Sequence, residues 1–370
     1  MLPFTLGTPP LILMPANAES GIEDGRGRFR QILSAVSADH GRDLGDYRDF
    51  DDILWRMAGE DDEPDRPVYL GPPRLPLRIL VVGGLASECS ANYVPTLSVA
   101  MKHLTNLGYE ASELTVAGLA SSTYNGYLIA EQIRDLDLKP GERVVLVGHS
   151  KGLPDILEGV AVLPDAARRV AAVVGLAGAV NGSPLVETAP TELFPIVRYL
   201  PNSTCRLGDG QGLDSLRRDR RMGWLASHPL PAGIRYYSLA AFVDRDQTSL
   251  ALRDSWERLS RIDPRNDGQL LFYDQIIPGS TLLGFVAADH WAVAMPLNRI
   301  YPNLSVAFAN HGAFPREVVL EAIVRYIEED LLAGEAQQTP VTGNPTGTTL
   351  RPRANRRSAM PASSGPAQAR

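Results

Sequence analysis

Val144-Val145-Leu146-Val147-Gly148-His149-Ser150-Lys151-Gly152 reads as a buried strand, a tight turn and the start of a helix. The turn carries the pattern Gly-x-Ser-x-Gly. That pattern has chemical meaning only between a strand and a helix, and here it has both neighbours. A serine on such a turn points its hydroxyl out of the sheet. The residues two before and two after it must be small so that strand and helix can cross. Gly148 and Gly152 meet that demand. Pro154 falls in the first helical turn, where its missing N–H has no partner to lose. His149 is adjacent to Ser150 in sequence, but neighbouring side chains at this turn diverge. It reads as a packing residue rather than as a base for Ser150.

Outward from this stretch, strands and helices alternate. Residues 77–82 form an apolar run that ends at Gly83-Gly84. Val94, Leu97, Met101, Leu104 and Leu107 then mark a helix closed by Gly108. Strands are expected at 109–114, 143–147, 170–176, 234–240 and 282–287. Helices are expected at 127–138, just after Ser150, and at 315–332 with Val319, Ile323, Tyr326 and Ile327 inward. Strands apolar on both faces and separated by helices imply an α/β fold. Its central sheet is mostly parallel and flanked by helices, with right-handed crossovers.

The 370 residues carry a net charge of -7, and 44% are apolar. A full hydrophobic core is available, and mild acidity gives no reason to expect nucleic acid as a partner. No stretch is long and apolar enough to span a bilayer. Three parts are expected: an N-terminal helical extension and linker over 1–75, an α/β domain over 76–334 and a disordered basic tail over 335–370. Within 22–57 two short helices are expected, one from Phe29, Ile32, Leu33 and Val36, the other from Phe50, Ile53, Leu54 and Met57. An acidic linker follows at 59–67. The first twenty residues faintly resemble the end of a secretory signal but lack Lys and Arg, so a cytoplasmic location is expected. Cys89 and Cys205 form no CxxC and read as two unpaired buried thiols. No histidine lies in an HExxH or a Cys/His cluster, so a catalytic metal is not suggested.

A serine hydroxyl attacks only when a histidine removes its proton and a carboxylate orients that histidine. The order Ser, acid, His is available as Ser150, Asp267 in Arg265-Asn266-Asp267-Gly268-Gln269, and His290 in Ala288-Asp289-His290-Trp291. Asp267 and His290 would both follow strand ends, where open α/β sheets build their sites. Asp244 is a rival acid and His311 a rival base. Asp289 would share a strand end with the histidine it orients, an awkward geometry. His40, His103 and His228 read as structural. Two backbone N–H groups are needed for a developing oxyanion. Lys151, directly after the serine, and Leu85, after Gly83-Gly84, are the expected donors. The Lys151 side chain is expected to be solvated.

Together these residues resemble the α/β-hydrolase superfamily, in particular its lipase- and esterase-like members. Val82-Gly83-Gly84-Leu85 looks like the oxyanion loop, with Gly83 where a histidine is usual. Asn181-Gly182-Ser183-Pro184-Leu185 is similar to a Gly-Ser-Pro segment after the strand following the elbow. Asn266-Asp267-Gly268 is similar to the stretch around the acid. The resemblance covers roughly 75–332 and implies an acyl-enzyme on Ser150, hydrolysis of a carboxylic ester and no cofactor. A thioesterase, acyltransferase or peptidase would use the same triad, and a non-catalytic binding protein would keep only the fold. The expected partner is a small-molecule or lipid-like acyl substrate. Residues 183–230 form an insertion of the cap or lid kind, with an apolar face at Leu193, Phe194, Ile196, Val197 and Leu200. Arg217, Arg218, Arg220 and Arg221 read as a solvated helical face.

Overall fold

The computed structural model describes residues 21–58, 60, 62–64, 66–91, 94–188, 205–300 and 314–338. Seven strands form one parallel sheet: β1 Glu23–Asp24, β2 Leu77–Val82, β3 Glu110–Glu113, β4 Arg143–Ser150, β5 Val170–Gly178, β6 Arg235–Phe242 and β7 Thr281–Ala287. Their order is β1-β7-β6-β5-β4-β2-β3, and every neighbouring pair is parallel. The chain runs out to the edge at β3 and returns to β4 beside β2. The order therefore reverses between β2 and β4, opening a crevice at their carboxyl ends.

The helices follow from the apolar residues that must be covered on each face. In β4, Val145 and Val147 face one layer, while Val144 and Leu146 face the other. The first layer holds α1 Arg26–His40, α2 Ser98–Asn106 and α7 Arg316–Gln338. Phe29, Ile32, Leu33 and Val36 of α1 join Val319, Ile323 and Ile327 of α7 in the core there. The second layer holds α3 Ser122–Asp135 and α4 Gly152–Val162, with Ile129, Ile133, Ile156 and Leu157 inward. Helix α3 begins ahead of the expected 127–138 because Ser121 caps it, accepting from the Tyr124 N–H at 3.1 Å. Helices α5 Arg218–Ser227 and α6 Arg253–Ser260 lie in the connections on either side of β6.

Three expectations are corrected. The second N-terminal helix does not form. Phe50–Asp52 makes one 3-10 turn, and the chain then extends along β7. Ala287 N–H donates to Ile53 O at 2.9 Å, and Trp55 N–H donates to Phe285 O at 2.9 Å. β1 pairs only with Thr281 and Leu282, which leaves the rest of β7 as a bare edge. Satisfying that edge outweighs the helical spacing of Phe50, Ile53, Leu54 and Met57. The two cysteines are not free thiols: Cys89 is bonded to Cys205, 116 residues away. Arg218 and Arg221 are not a solvated face. Arg218 pairs with the buried Asp274 at 3.0 Å, and Arg221 is buried against Glu158. Of the insertion, Leu193, Phe194, Ile196, Val197 and Leu200 lie outside the described residues. So do His311 and residues 339–370; the first four residues of the expected tail, 335–338, instead continue the closing helix Arg316–Gln338.

The disulfide closes a long loop, and such cross-links stabilise chiefly by restricting the unfolded chain. Cys89→Ser and Cys205→Ser are each expected to lower unfolding free energy by about 2–5 kcal/mol, read from denaturant midpoints with and without reductant. Variants and wild type should converge once the wild type is reduced.

Candidate active site

The elbow is built by contact at close range. Ser150 ends β4 with φ of 54°, a left-handed conformation that costs energy in a residue with a side chain and recurs where function requires it. A Cβ on Gly152 would lie 2.2 Å from Val82 O and 2.6 Å from Gly83 O, and one on Gly148 would lie 2.5 Å from Leu153 Cα. Glycine at both places lets α4 leave the sheet directly over the end of β2. The same crossing carries the β2 loop to the serine, so that a Cβ on Gly84 would meet Ser150 Cβ at 2.8 Å.

Asp267 and His290 arrive from the other side. Asp267 lies in the connection before β7, where Gln269 and Leu270 N–H both donate to Oδ1 at 2.8 and 2.7 Å. Gln275 Nε2 donates to Oδ2 at 3.4 Å. His290 follows β7, and its own N–H donates to Asp267 O at 2.9 Å. Its Nδ1 is 2.7 Å from Asp267 Oδ2, and its Nε2 is 2.8 Å from Ser150 Oγ. A carboxylate only accepts, so Nδ1 carries the proton and Nε2 presents its lone pair to the Ser150 hydroxyl. Asp267 is wholly buried and His290 nearly so, so this chain of hydrogen bonds runs from the protein interior to the floor of a cavity.

The rivals have other places. Asp244 is exposed on the surface. Asp289 accepts from Trp291 and Ala292 N–H at 3.0 and 2.8 Å and from Ser249 N–H at 2.8 Å. It therefore fixes the turn that carries His290, a part not foreseen from the sequence. His149 is buried and packs its ring 4.9 Å from that of His290. Its Nε2 donates to His290 O at 3.0 Å. Burial pushes its pKa down to about 3, with the neighbouring His290 acting in the same direction. The ring therefore stays neutral and packs against the site.

Leu85 lines the cavity beside Ser150. Among the described residues neither the Leu85 nor the Lys151 backbone N–H donates to a protein acceptor. The Lys151 side chain is not solvated as expected. It is 1% exposed, and Nζ donates to Asp155 Oδ1 and Oδ2 at 2.7 and 2.8 Å. Asn125 Nδ2 donates to the same carboxylate at 2.8 Å, tying α3 to the start of α4. The spacing of four within a helix turn favours the pair, and burial makes it obligatory.

The cavity over Ser150 measures about 410 Å³. Leu85, Val186, Leu213, Leu216 and Leu270 give it an apolar wall, and Trp291 and Met295 close another side. Val186, Leu213 and Leu216 belong to the insertion, so part of that segment does reach the site. Ser183 Oγ donates to Gln269 O at 2.6 Å, joining the segment after β5 to the acid loop. Further back, the Arg221 guanidinium meets Glu158 of α4 and donates to Val180 O at 3.2 Å.

Among solved structures the chain is similar to a metagenomic carboxyl esterase, MGS0156, at 44% identity with a TM-score of 0.80. That match covers 86% of this chain and 96% of the esterase. It is also similar to the mature form of a Bacillus licheniformis lipase, BlEst2, at 22% identity and a TM-score of 0.49, covering 65% and 93% of the two chains. No protein-family model matches the chain, and no curated protein does.

Removing one partner of a buried ion pair strands the other charge. Asp155→Ala is expected to cost about 3–5 kcal/mol of stability, measured by denaturant unfolding. A Lys151→Met, Asp155→Leu double variant should lose clearly less.

Proposed function

The chain belongs to the α/β-hydrolase family, among its carboxyl esterases, and from that premise we propose that it hydrolyses carboxylic esters through Ser150, His290 and Asp267. The observation that carries this reading is the continuous hydrogen-bond chain from Asp267 Oδ2 through both ring nitrogens of His290 to Ser150 Oγ.

In this mechanism Ser150 Oγ attacks the ester carbonyl carbon while His290 Nε2 takes its proton. Asp267 stabilises the imidazolium through Nδ1–H and stays ionised. The carbonyl oxygen becomes an oxyanion, which accepts from the Leu85 and Lys151 N–H groups in this reading. Because both are backbone donors fixed by the elbow crossing, they need little reorganisation when the charge appears. The tetrahedral adduct collapses, the C–O bond to the alcohol breaks, and Nε2–H protonates the departing alkoxide. Water, deprotonated by Nε2, then attacks the acyl-enzyme, and the acid is released as Oγ recovers its proton. All groups required are side chains and backbone of this chain. The apolar wall supports an acyl group of modest size as the part bound, with its polar end at Ser150.

No helix among the described residues is long and apolar enough to cross a membrane. The Cys89–Cys205 bond favours an oxidising compartment over the cytoplasm expected from the sequence, since structural disulfides persist where thiols are not kept reduced. Fractionation of the native host should then find the oxidised enzyme outside the cytoplasm; a reduced cytoplasmic pool would refute that placement.

A fluorophosphonate probe should label the wild type and not Ser150→Ala. Asp267→Asn should lower kcat by roughly four orders of magnitude on a p-nitrophenyl ester, while Asp244→Asn leaves it unchanged. Equal labelling of Ser150→Ala would end the proposal.

A further inference from the structure

Far from Ser150 in sequence and on the opposite face of the sheet from α4, three helices bring together side chains that the mechanism does not use. His40 is the last residue of α1, His103 lies in α2 and Glu321 in α7. Their ligand atoms all fall within 4.8 Å of one another, which no other group of His, Cys, Asp and Glu does among the described residues. Both histidines aim the same atom at one spot: each Nε2 is 2.6 Å from Glu321 Oε2. Glu321 is fully buried, while the side chains of His103 and His40 are 11% and 21% exposed.

The surroundings hold this set in a ligand arrangement. Glu321 Oε1 is taken by Arg325 Nε at 2.6 Å. The Arg325 guanidinium is itself fixed on the carbonyls of Tyr69, Leu70 and Gly71. That leaves Oε2 as the oxygen facing both rings. His40 Nδ1 is 3.1 Å from Asp39 Oδ2. A carboxylate on the outer nitrogen holds the Nδ1 proton, so Nε2, which donates to Glu321 Oε2 here, becomes the ligand atom once its own proton is displaced, as in carboxylate–histidine–zinc arrangements.

We propose that His40, His103 and Glu321 form a structural binding site for a divalent transition-metal ion of the zinc class. Two imidazoles and one carboxylate suit zinc better than magnesium or calcium, which prefer all-oxygen shells. Zinc sits at about 2.0–2.1 Å from such atoms, so tetrahedral ligands stand roughly 3.3 Å apart. The Nε2–Oε2 separations of 2.6 Å must widen by about 0.7 Å to admit it. His40, at a helix end and partly exposed, can move away from Oε2, and the His103 ring must shift by the same amount. Water on the His40 side completes the shell. Loading displaces the Nε2 protons, so affinity falls as pH drops and the rings protonate. The ion joins the first helix of the domain to its last, and it takes no part in ester cleavage.

The test uses the full-length enzyme, stripped with EDTA and titrated with Zn²⁺ by calorimetry and by thermal unfolding. Wild type should bind one ion per chain at this site and gain a few degrees in Tm at saturating metal, roughly as ligand linkage predicts. His40→Gln and His103→Gln each retain an N–H donor for Glu321 but replace the imidazole. Each should weaken binding at least tenfold and remove the Tm gain, with p-nitrophenyl ester turnover of the metal-free enzyme unchanged. Absence of binding in the wild type would overturn the proposal. So would equal stoichiometry and Tm gain in whichever variant folds, since the ion would then sit elsewhere.

Discussion

Everything at the catalytic end of this molecule depends on how closely α4 passes over the end of β2. With no side chain at Gly152, the helix backbone comes against the Val82 and Gly83 carbonyls. Two consequences follow from one contact. Ser150 is forced into a left-handed turn that lifts its hydroxyl out of the sheet, and the Gly84-Leu85 loop is carried to its side. Ser150 and the Gly84-Leu85 loop are thus brought together by backbone packing. A methyl group at Gly152 would separate them, because a carbonyl fixed in a strand cannot yield as the tip of a side chain can.

The helix that carries this contact is anchored by charge. Lys151, just before α4, and Asp155 within it neutralise each other, Asp155 accepts from Asn125 of α3, and Glu158 receives Arg221 from the insertion. Buried ion pairs stabilise little in net terms, yet they penalise any arrangement in which the partners separate. Helices α3 and α4, and the part of the insertion beyond Cys205, therefore share one set of allowed positions. The disulfide adds a second tie: Cys89 lies just after the Gly84-Leu85 loop, and Cys205 lies within the insertion. The disulfide thereby holds this part of the insertion close to the Gly84-Leu85 loop.

Much of this was readable from the chain because the relevant signals are local. The elbow is nine consecutive residues, and the strand runs are apolar on both faces, so β4 and its neighbours could be placed from their own composition. Asp267 and His290 were legible through their order after Ser150 and their positions next to strands. What could not be read depends on partners remote in sequence. Nothing near Lys151 announces that its environment will be dry, although Asp155 stands one helical turn away. Phe50, Ile53, Leu54 and Met57 have helical spacing, and only the unfilled edge of β7 explains why the chain extends from Leu54. Arg221 looks like one of four surface arginines until Glu158 is known to face it. The meeting of His40 with Glu321 spans 281 residues, beyond any short motif.

The pairing of α1 with α7 has a consequence for biosynthesis. Arg28 bonds Glu329 across 301 residues, and Phe29, Ile32, Leu33 and Val36 are buried against the closing helix. A nascent chain emerging from the ribosome displays that apolar stripe early and finds its cover only when α7 has left the exit tunnel. During the interval the stripe is available to other nascent chains or to chaperones, and the contact it awaits is among the slowest kind to form. The domain is thus closed last by the residues synthesised near its two ends, so a ribosome that stalls before α7 leaves a chain unable to finish folding.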